Sequence, residues 1–391
     1  MSGPLEGTKV LSFGRMLSGP YATMLLADLG AEVVKIEAPK IGDLARFASP
    51  FIEKLSSYFL SINRGKKSIT LDLKKERARK VVFDLVKGAD IVLENFRPGV
   101  MERLGFGYDA MRDVNPGIIY ASLSGFGQAG PYAGRPAFDM IAQGMGGVMS
   151  ITGEPGRPPV RLGYSMGDIG ASLFTCVSIL AALHERDKSG QGQHIDVAML
   201  DSQVALCENA CARYFATGEI PGPLGSRHPL FTPFQAFPTR DGYVVVVAQL
   251  PDDWKRFCEA AGREEWVTDE KYVSMEARLE NYDEFIEEMN ALMRTRTTEE
   301  WIALLDVHRV MCGPVNNIEQ VVKDPHINDR GMFVDVEHST QGRLKVVGTP
   351  MKLSRTPCRI EKASPELGEH TEEVLSDWAN LSQEEVEELR E

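Results

Sequence analysis

Long hydrophobic runs are scarce: no stretch approaches the ~20 apolar residues that a membrane helix needs, so no membrane span is expected. Clustered cysteine is scarce too. Six cysteines lie scattered at 176, 207, 211, 258, 312 and 358 among 391 residues. Only Cys207 and Cys211 fall one helical turn apart, and small buried apolar residues are the reading that fits them. No disulfide is expected, and no metal, because no His or Cys cluster completes a ligand set. Positive charge is in deficit: 43 Lys and Arg stand against 56 Asp and Glu, a formal net charge of −13. That argues against nucleic acid as a partner and obliges any polyanionic ligand to find a local basic pocket. There are no internal repeats and no low-complexity tract. Met1 to Glu6 lacks a basic and an apolar leader region, so a cytoplasmic location is expected.

What remains is ordinary globular composition, 43% hydrophobic and 25% charged. The length exceeds what one hydrophobic core serves, so two domains are expected. Lys9-Val10-Leu11-Ser12-Phe13 reads as a buried strand, and Gly14 to Gly19 as a loop. Pro20 suits the first turn of a helix that runs to Gly30, and Glu32 to Glu37 is the next strand, completing a βαβ unit. A charged helix follows over about Lys75–Lys87, then strands at Asp90–Glu94 and Ile118–Leu123. This alternation predicts an α/β fold with a doubly wound, mostly parallel sheet. Gly167 to about Lys188 reads as one long helix whose apolar middle, Ile169 to Leu183, should be deeply buried. A strand at His194–Met199 and a helix to about Ala216 close this region. Gly218 to Ser226 is a linker. Beyond it Tyr243–Ala248 is a strand, and helices bearing Trp254, Phe257, Cys258, Phe285, Met289, Leu292, Trp301 and Leu304 build a smaller α+β core. Short strands at Phe333–Val336 and Leu344–Val347 precede an acidic helix capped by Ser382 and Glu385. The implied division is 1–217 as the first part of a large Rossmann-like domain, 218–330 as linker and small domain, and 331–391 as a return segment completing the large domain.

Three constellations could carry chemistry. The loop Gly14-Arg15-Met16-Leu17-Ser18-Gly19 sits where doubly wound sheets bind ligands, at a strand's carboxyl end. Its spacing is neither a dinucleotide fingerprint nor a P-loop, so no nucleotide cofactor is implied; a plain tight turn is the alternative. A set of cations near strand ends, Lys66, Lys67, Lys74, Lys75, Arg97 and Arg103, could meet phosphates; solvated surface charge is the alternative. Asp168 opens the long apolar helix, where backbone amides favour a carboxylate. It could be a covalent nucleophile toward an activated acyl group or only a helix cap.

Taken together, these segments resemble the class III CoA-transferases, the family of formyl-CoA transferase and carnitine CoA-transferase. The residues that carry the likeness are Gly19-Pro20, Leu25 to Glu37, Asn63 to Leu73, Glu94-Asn95-Phe96-Arg97-Pro98-Gly99, Ser124-Gly125-Phe126-Gly127, Gly130-Pro131-Tyr132, Gly190-Gln191-Gly192-Gln193 and Gly368-Glu369-His370-Thr371. The resemblance implies two ring-shaped chains interlocked as a homodimer, with association with a related subunit as the other arrangement. It implies coenzyme A, as acyl-CoA, for substrate, with no metal, no nucleotide cofactor, no nucleic acid and no membrane partner. The family nucleophile falls on Asp168. The family's CoA contacts fall on Leu17, Ser18, Ala38, Leu71, Asp72, Leu73, Lys74, Asn95, Phe96, Arg97 and Arg103, with Arg135 to Asp139 lining the channel. The pocket is expected to include Met16, Leu17, Tyr132, Phe138, Tyr164 and Met166, and to suit a medium-sized acid with succinyl-CoA as donor. Two departures are visible: Ala248-Gln249-Leu250-Pro251 replaces a glycine-rich lid, and Ala38 stands where an arginine is common.

Two rival readings belong to other classes. A racemase or epimerase of α-methylacyl-CoA needs an acid–base pair, usually with histidine just before the residue matching Asp139, and this chain has Phe138 there. A non-catalytic CoA-binding subunit would be marked by loss of the nucleophile, yet Asp168 is present.

Overall fold

The structure is a computed structural model that describes residues 3–389. The chain divides into two compact units, one formed by residues 1–149, 161–219 and 325–391, the other by 150–160 and 220–324.

The larger unit opens with β1 (Lys9–Ser12), α1 (Ser18–Asp28) and β2 (Glu32–Glu37). A short hairpin, β3 (Phe51–Ile52) and β4 (Leu55–Ser56), leads into α2 (Ser57–Asn63) and β5 (Lys67–Thr70). Next come α3 (Glu76–Lys87), β6 (Ile91–Glu94), α4 (Val100–Leu104), α5 (Tyr108–Val114) and β7 (Ile119–Ser124). They are followed by α6 (Asp139–Met145), α7 (Val148–Ile151), whose last two residues belong to the other unit, α8 (Met166–Ser189), β8 (His194–Ala198), α9 (Met199–Leu206) and α10 (Glu208–Thr217). Six strands form one parallel sheet in the order β5-β2-β1-β6-β7-β8. The order reverses between β1 and β6, so the loops leaving these two neighbours diverge and open a crevice at their carboxyl ends.

Strand alternation decides the two faces. Leu11, Val34, Ile36, Val92 and Tyr120 point into one core with α3 and α5 residues. Val10, Val33, Ile91, Leu93, Ile119 and Ala121 point into the other, against α1 and α8. Because both faces are covered, the central strands carry adjacent apolar residues, Val10-Leu11, Val33-Val34 and Ile91-Val92-Leu93, in place of a strict alternation.

Helix α8 bears on two expectations, and it corrects the second. It is 24 residues long and, by length and composition alone, apolar enough to cross a membrane; interspersed Gly, Ala, Ser and Thr disguise the run. Nor is its middle buried all round. Its small residues, Gly170, Ala171, Ser172, Thr175, Cys176 and Ala182, are buried, and Ile179 with them. Leu173, Phe174, Val177 and Leu180 are exposed. The small side chains let the helix pack closely on α1, while the larger ones line an outward apolar stripe. The helix stops at Gly190, whose φ of 74° suits glycine. The single helix expected up to Ala216 is instead two, α9 and α10, broken at Cys207.

The smaller unit holds an antiparallel sheet of β9 (Phe234–Pro238), β10 (Tyr243–Val247) and β11 (Met311–Pro314). Its helices are α11 (Pro251–Ala261), α12 (Met275–Glu280), α13 (Tyr282–Met293), α14 (Thr298–Val307) and α15 (Ile318–Lys323). Trp254, Phe257, Phe285, Met289 and Trp301 are fully buried there, as the apolar spacing predicts. The chain then re-enters the larger unit through α16 (Pro325–Asp329), the hairpin β12 (Phe333–His338) and β13 (Gly342–Val347), and finally α17 (Thr371–Ala379) and α18 (Gln383–Glu388). The capping box of Ser382 and Glu385 is formed. The Gly368–Thr371 motif clasps the outer edge of β5. The amides of Gly368 and His370 donate to the Ser68 hydroxyl and carbonyl, each at 2.9 Å, and the Thr70 amide donates to the Thr371 hydroxyl at 3.3 Å.

Candidate active site

At the crevice between the ends of β1 and β6 the loop Gly14–Gly19 turns sharply into α1. Its two glycines nearly touch: a Cβ on Gly19 would lie 3.0 Å from the Gly14 Cα and 3.1 Å from the Asn95 Cγ. Asn95, just beyond β6, pins the loop. Its Oδ1 accepts from the Arg15 amide at 2.8 Å, and its Nδ2 donates to the Arg15 carbonyl at 2.9 Å and the Ser18 Oγ at 3.0 Å. From below, Lys35 on β2 donates to the Gly14 carbonyl at 2.6 Å and to Asp43 at 2.8 Å. Asp43 in turn accepts from the Met16 amide at 3.0 Å. Met16 sits at φ 60°, a left-handed conformation uncommon for its type, held by that bond.

Asp168 lies in the first turn of α8 and shares a cavity of about 220 Å³ with Arg15, Met16, Ser18, Asn95 and Phe96, among others. The Ser172 hydroxyl stitches the two helix starts together, 2.7 Å from both the Ser18 and the Asp168 carbonyls. Burial, reinforced by the negative charge of Asp139, pushes the Asp168 carboxyl up to about 6, against hydrogen bonds from the Ser18 hydroxyl and amide that favour the ionised form. Asp139 is itself tied down, accepting from the Gly167 amide at 2.7 Å and the Gln143 amide nitrogen at 2.8 Å. The Tyr58 phenol is pushed up to about 12, by burial first and then by the charges of Asp168, Asp43 and Asp139, so it stays protonated. Behind the cavity floor Glu94 is buried, which raises its carboxyl to about 7 despite bonds to Ser122 and the Phe96 amide.

The residues singled out from sequence are partly gathered. Ser18, Asn95, Phe96, Arg97, Arg135, Met16, Phe138 and Asp168 line the one cavity. Leu71 and Asp72 instead line a separate depression of about 970 Å³, with Lys40, Lys75 and Arg77, between the end of β5 and α17. Leu73 packs on the sheet core, and Lys74 borders a shallow groove beside α3. Ala38, just after β2, and Arg103, on α4, line none of these hollows. Leu17 is buried among Ala45, Phe59 and Ile62, so only its backbone can meet a ligand. Tyr132 stacks edge-on to Phe126 beside the Arg135 guanidinium; neither it, Tyr164 nor Met166 reaches the cavity wall. Two cations leave the phosphate set. Lys66 is buried, donates to the Pro20 and Ile62 carbonyls and Asn63, and is pushed well below its ordinary value by burial and the nearby Lys35. Lys67 pairs with Glu32 and Glu373, each at 2.6 Å.

The Lys35–Asp43 brace and the position of Arg15 escaped the sequence reading. A lysine set among Val33, Val34 and Ile36 was the available signal, because a buried ammonium demands partners. A glycine triplet at 125, 127 and 130 does have dinucleotide spacing, but β7 leads there into turns and not a helix, so the phosphate-binding helix end is missing.

A central parallel sheet, a crevice at its reversal point and a carboxylate poised there among cations describe an α/β transferase of anionic substrates. A sequence model of CoA-transferase family III matches residues 5–371, and the chain belongs to that family. It is 40% identical over 385 residues to a succinyl-CoA:mesaconate CoA-transferase of Haloarcula hispanica, covering 96% of each chain. It is 38% identical to a succinate–glutarate CoA-transferase of Agrobacterium fabrum, covering 97% of this chain and 96% of the other. A crystal structure of a CAIB/BAIF family protein from Brucella suis superposes with a TM-score of 0.88 at 34% identity, over 97% of this chain and 100% of that one. The protein is a CoA-transferase, working between an acyl-CoA and a carboxylate.

Proposed function

We propose that this chain moves coenzyme A from succinyl-CoA to another carboxylic acid of similar size, through covalent intermediates on Asp168. The observation that carries the reading is the placement of Asp168: at about pKa 6 it is ionised at neutral pH, yet poorly solvated and hence reactive. An Asp168 oxygen attacks the donor thioester carbonyl; the carbon–sulfur bond breaks and CoA thiolate leaves, giving a mixed anhydride. The thiolate then attacks the Asp168 carbonyl, giving an aspartyl-CoA thioester and releasing the donor acid. The acceptor carboxylate attacks that thioester and displaces the thiolate, which finally attacks the acceptor carbonyl and regenerates the Asp168 carboxylate. One activated bond persists throughout, so no step calls for ATP. In this reading the Ser18 amide and the Asn95-held Ser18 hydroxyl, which hydrogen-bond the Asp168 carboxylate, steady charge on the aspartyl group. The coenzyme is proposed to lie across the strand ends, with Phe96, Arg97 and Arg135 near its thioester arm and Leu71 to Lys74 near its far end.

The names of the relatives support succinyl-CoA as donor. The cavity supports a short acid, being smaller than the hollows that hold drug-sized ligands. Racemisation is disfavoured: among the described residues no histidine lines the cavity. The outward apolar stripe of α8 supports burial against a second copy of the chain; light scattering that returned a monomer would remove that part.

The test is mass spectrometry in D2O of the protein with several acyl-CoAs and a panel of acids, beside Asp168→Ala. New acyl-CoA species that vanish in the variant are expected. Deuterium in recovered acyl-CoA with no new thioester would replace transfer by racemisation.

A further inference from the structure

Three arginines line the cavity of Asp168, namely Arg15, Arg97 and Arg135. None has an acidic partner among the described residues. They are not equivalent. All three are exposed; Arg97 follows β6, and Arg135 is a loop residue stacked on Phe126 and Tyr132. Arg15 alone is mechanically linked to the nucleophile. Its amide and carbonyl are both held by the Asn95 side chain, the same side chain bonds the Ser18 Oγ, and Ser18 hydrogen-bonds the Asp168 carboxylate. Its guanidinium lies 5.0 Å from the Phe96 ring, which steers it without neutralising it.

An unneutralised guanidinium that lines the same cavity as a buried carboxylate is free to meet an anion that arrives with the substrate. The reacting carboxylate is a poor candidate, since tight pairing would blunt its attack. A second carboxylate at the far end of the acid gains orientation from a planar, two-pronged donor at no chemical cost. Every acid in the cycle must reach Asp168, so the departing donor acid and the entering acceptor occupy this cavity in turn. One cation therefore reads both.

We infer that Arg15 is a specificity-determining residue that pairs with the distal carboxylate of both the acyl donor and the acceptor acid, making the enzyme selective for short dicarboxylic acids. The inference rests on the transfer reading above and sharpens it.

The test compares two pairs of matched length, succinyl-CoA with glutarate and butyryl-CoA with pentanoate, in wild type, Arg15→Met and Arg15→Lys. Wild type is expected to favour the dicarboxylate pair. Arg15→Met lowers the ratio of kcat/KM values on the order of 50-fold, chiefly through the KM for glutarate, and Arg15→Lys recovers part of it. If Arg15→Met loses turnover with both pairs, the ratio is read on Arg15→Lys, where it must still fall. An unchanged ratio, or a wild type with no preference, overturns the role of Arg15. No turnover with either pair in wild type overturns the transfer reading instead.

Discussion

Lys35 and Asp43 form an ion pair of 2.8 Å in which both side chains are 1% exposed, and between them they hold both ends of the Gly14–Met16 turn. Removing one partner of such a pair leaves the other charged and dry. Asp43→Ala is expected to lower stability by about 3 to 5 kcal/mol in urea denaturation and to cost activity even at temperatures where the protein stays folded, because the Met16 amide loses its acceptor.

The rate should report the Asp168 carboxyl directly. Only the ionised form attacks a thioester, and burial with Asp139 raises this group to about 6. Activity is expected to halve near pH 6 on the acid side, with a slope of one proton, rather than near the ordinary aspartate value. A profile flat down to pH 4.5 would contradict the placement.

Stability should move the other way. A carboxyl whose folded value lies above its unfolded value binds its proton more tightly in the native state. The fold therefore loses stability as pH rises from about 4 through about 6. Asp168→Asn removes that loss, so the variant is expected to be inactive and about 1 to 2 kcal/mol more stable than wild type at pH 7, with the difference closing below pH 4. Denaturation midpoints across that range give the answer.

Gly19→Ala tests the close approach at the crevice. The added Cβ would meet the Gly14 Cα at 3.0 Å and the Asn95 Cγ at 3.1 Å. Neither contact is a flexible end, so the loop must shift. A stability cost of about 1 to 3 kcal/mol, with a loss of turnover larger than that cost explains, is expected from parallel denaturation and kinetic assays.

In the smaller unit Arg278 is 1% exposed, lies 4.5 Å from the Trp254 ring and donates to the Thr232 and Tyr272 carbonyls at 3.1 and 2.8 Å. Arg278→Ala is expected to destabilise this unit by about 3 kcal/mol, losing packing as well as hydrogen bonds. Tryptophan fluorescence, to which Trp254, Trp266 and Trp301 of this core contribute, is the readout.

Much of this was legible in the chain. Apolar runs such as Val33-Val34 and Ile91-Val92-Leu93 announce strands covered on both faces, and Gly30, Gly88 and Gly190 mark helix ends. Asp168 stood out as the one acid opening an apolar helix. What the chain did not announce depends on partners distant in sequence. Lys66 and Lys67 look like phosphate ligands until the fold supplies Pro20, Glu32 and Glu373 to occupy them. The outward face of α8 reads as core, because composition cannot tell a side chain buried by its own chain from one left at the surface. Residues 150–160 join the smaller unit; Gly153, Pro155, Gly156, Pro158 and Pro159 mark a loop there, but a loop's composition does not say which core it packs on.

The clasp of Gly368–Thr371 on β5 gives the protein a timetable. Ser68 and His370 meet across 302 residues, so during synthesis the outer edge of the sheet waits, unpaired, until nearly the whole chain has emerged. An open strand edge of that kind invites pairing with other chains, and long-range closure is slow. Truncated or stalled chains that end before residue 368 are thus expected to carry a sticky margin that the finished protein has sealed with its own tail.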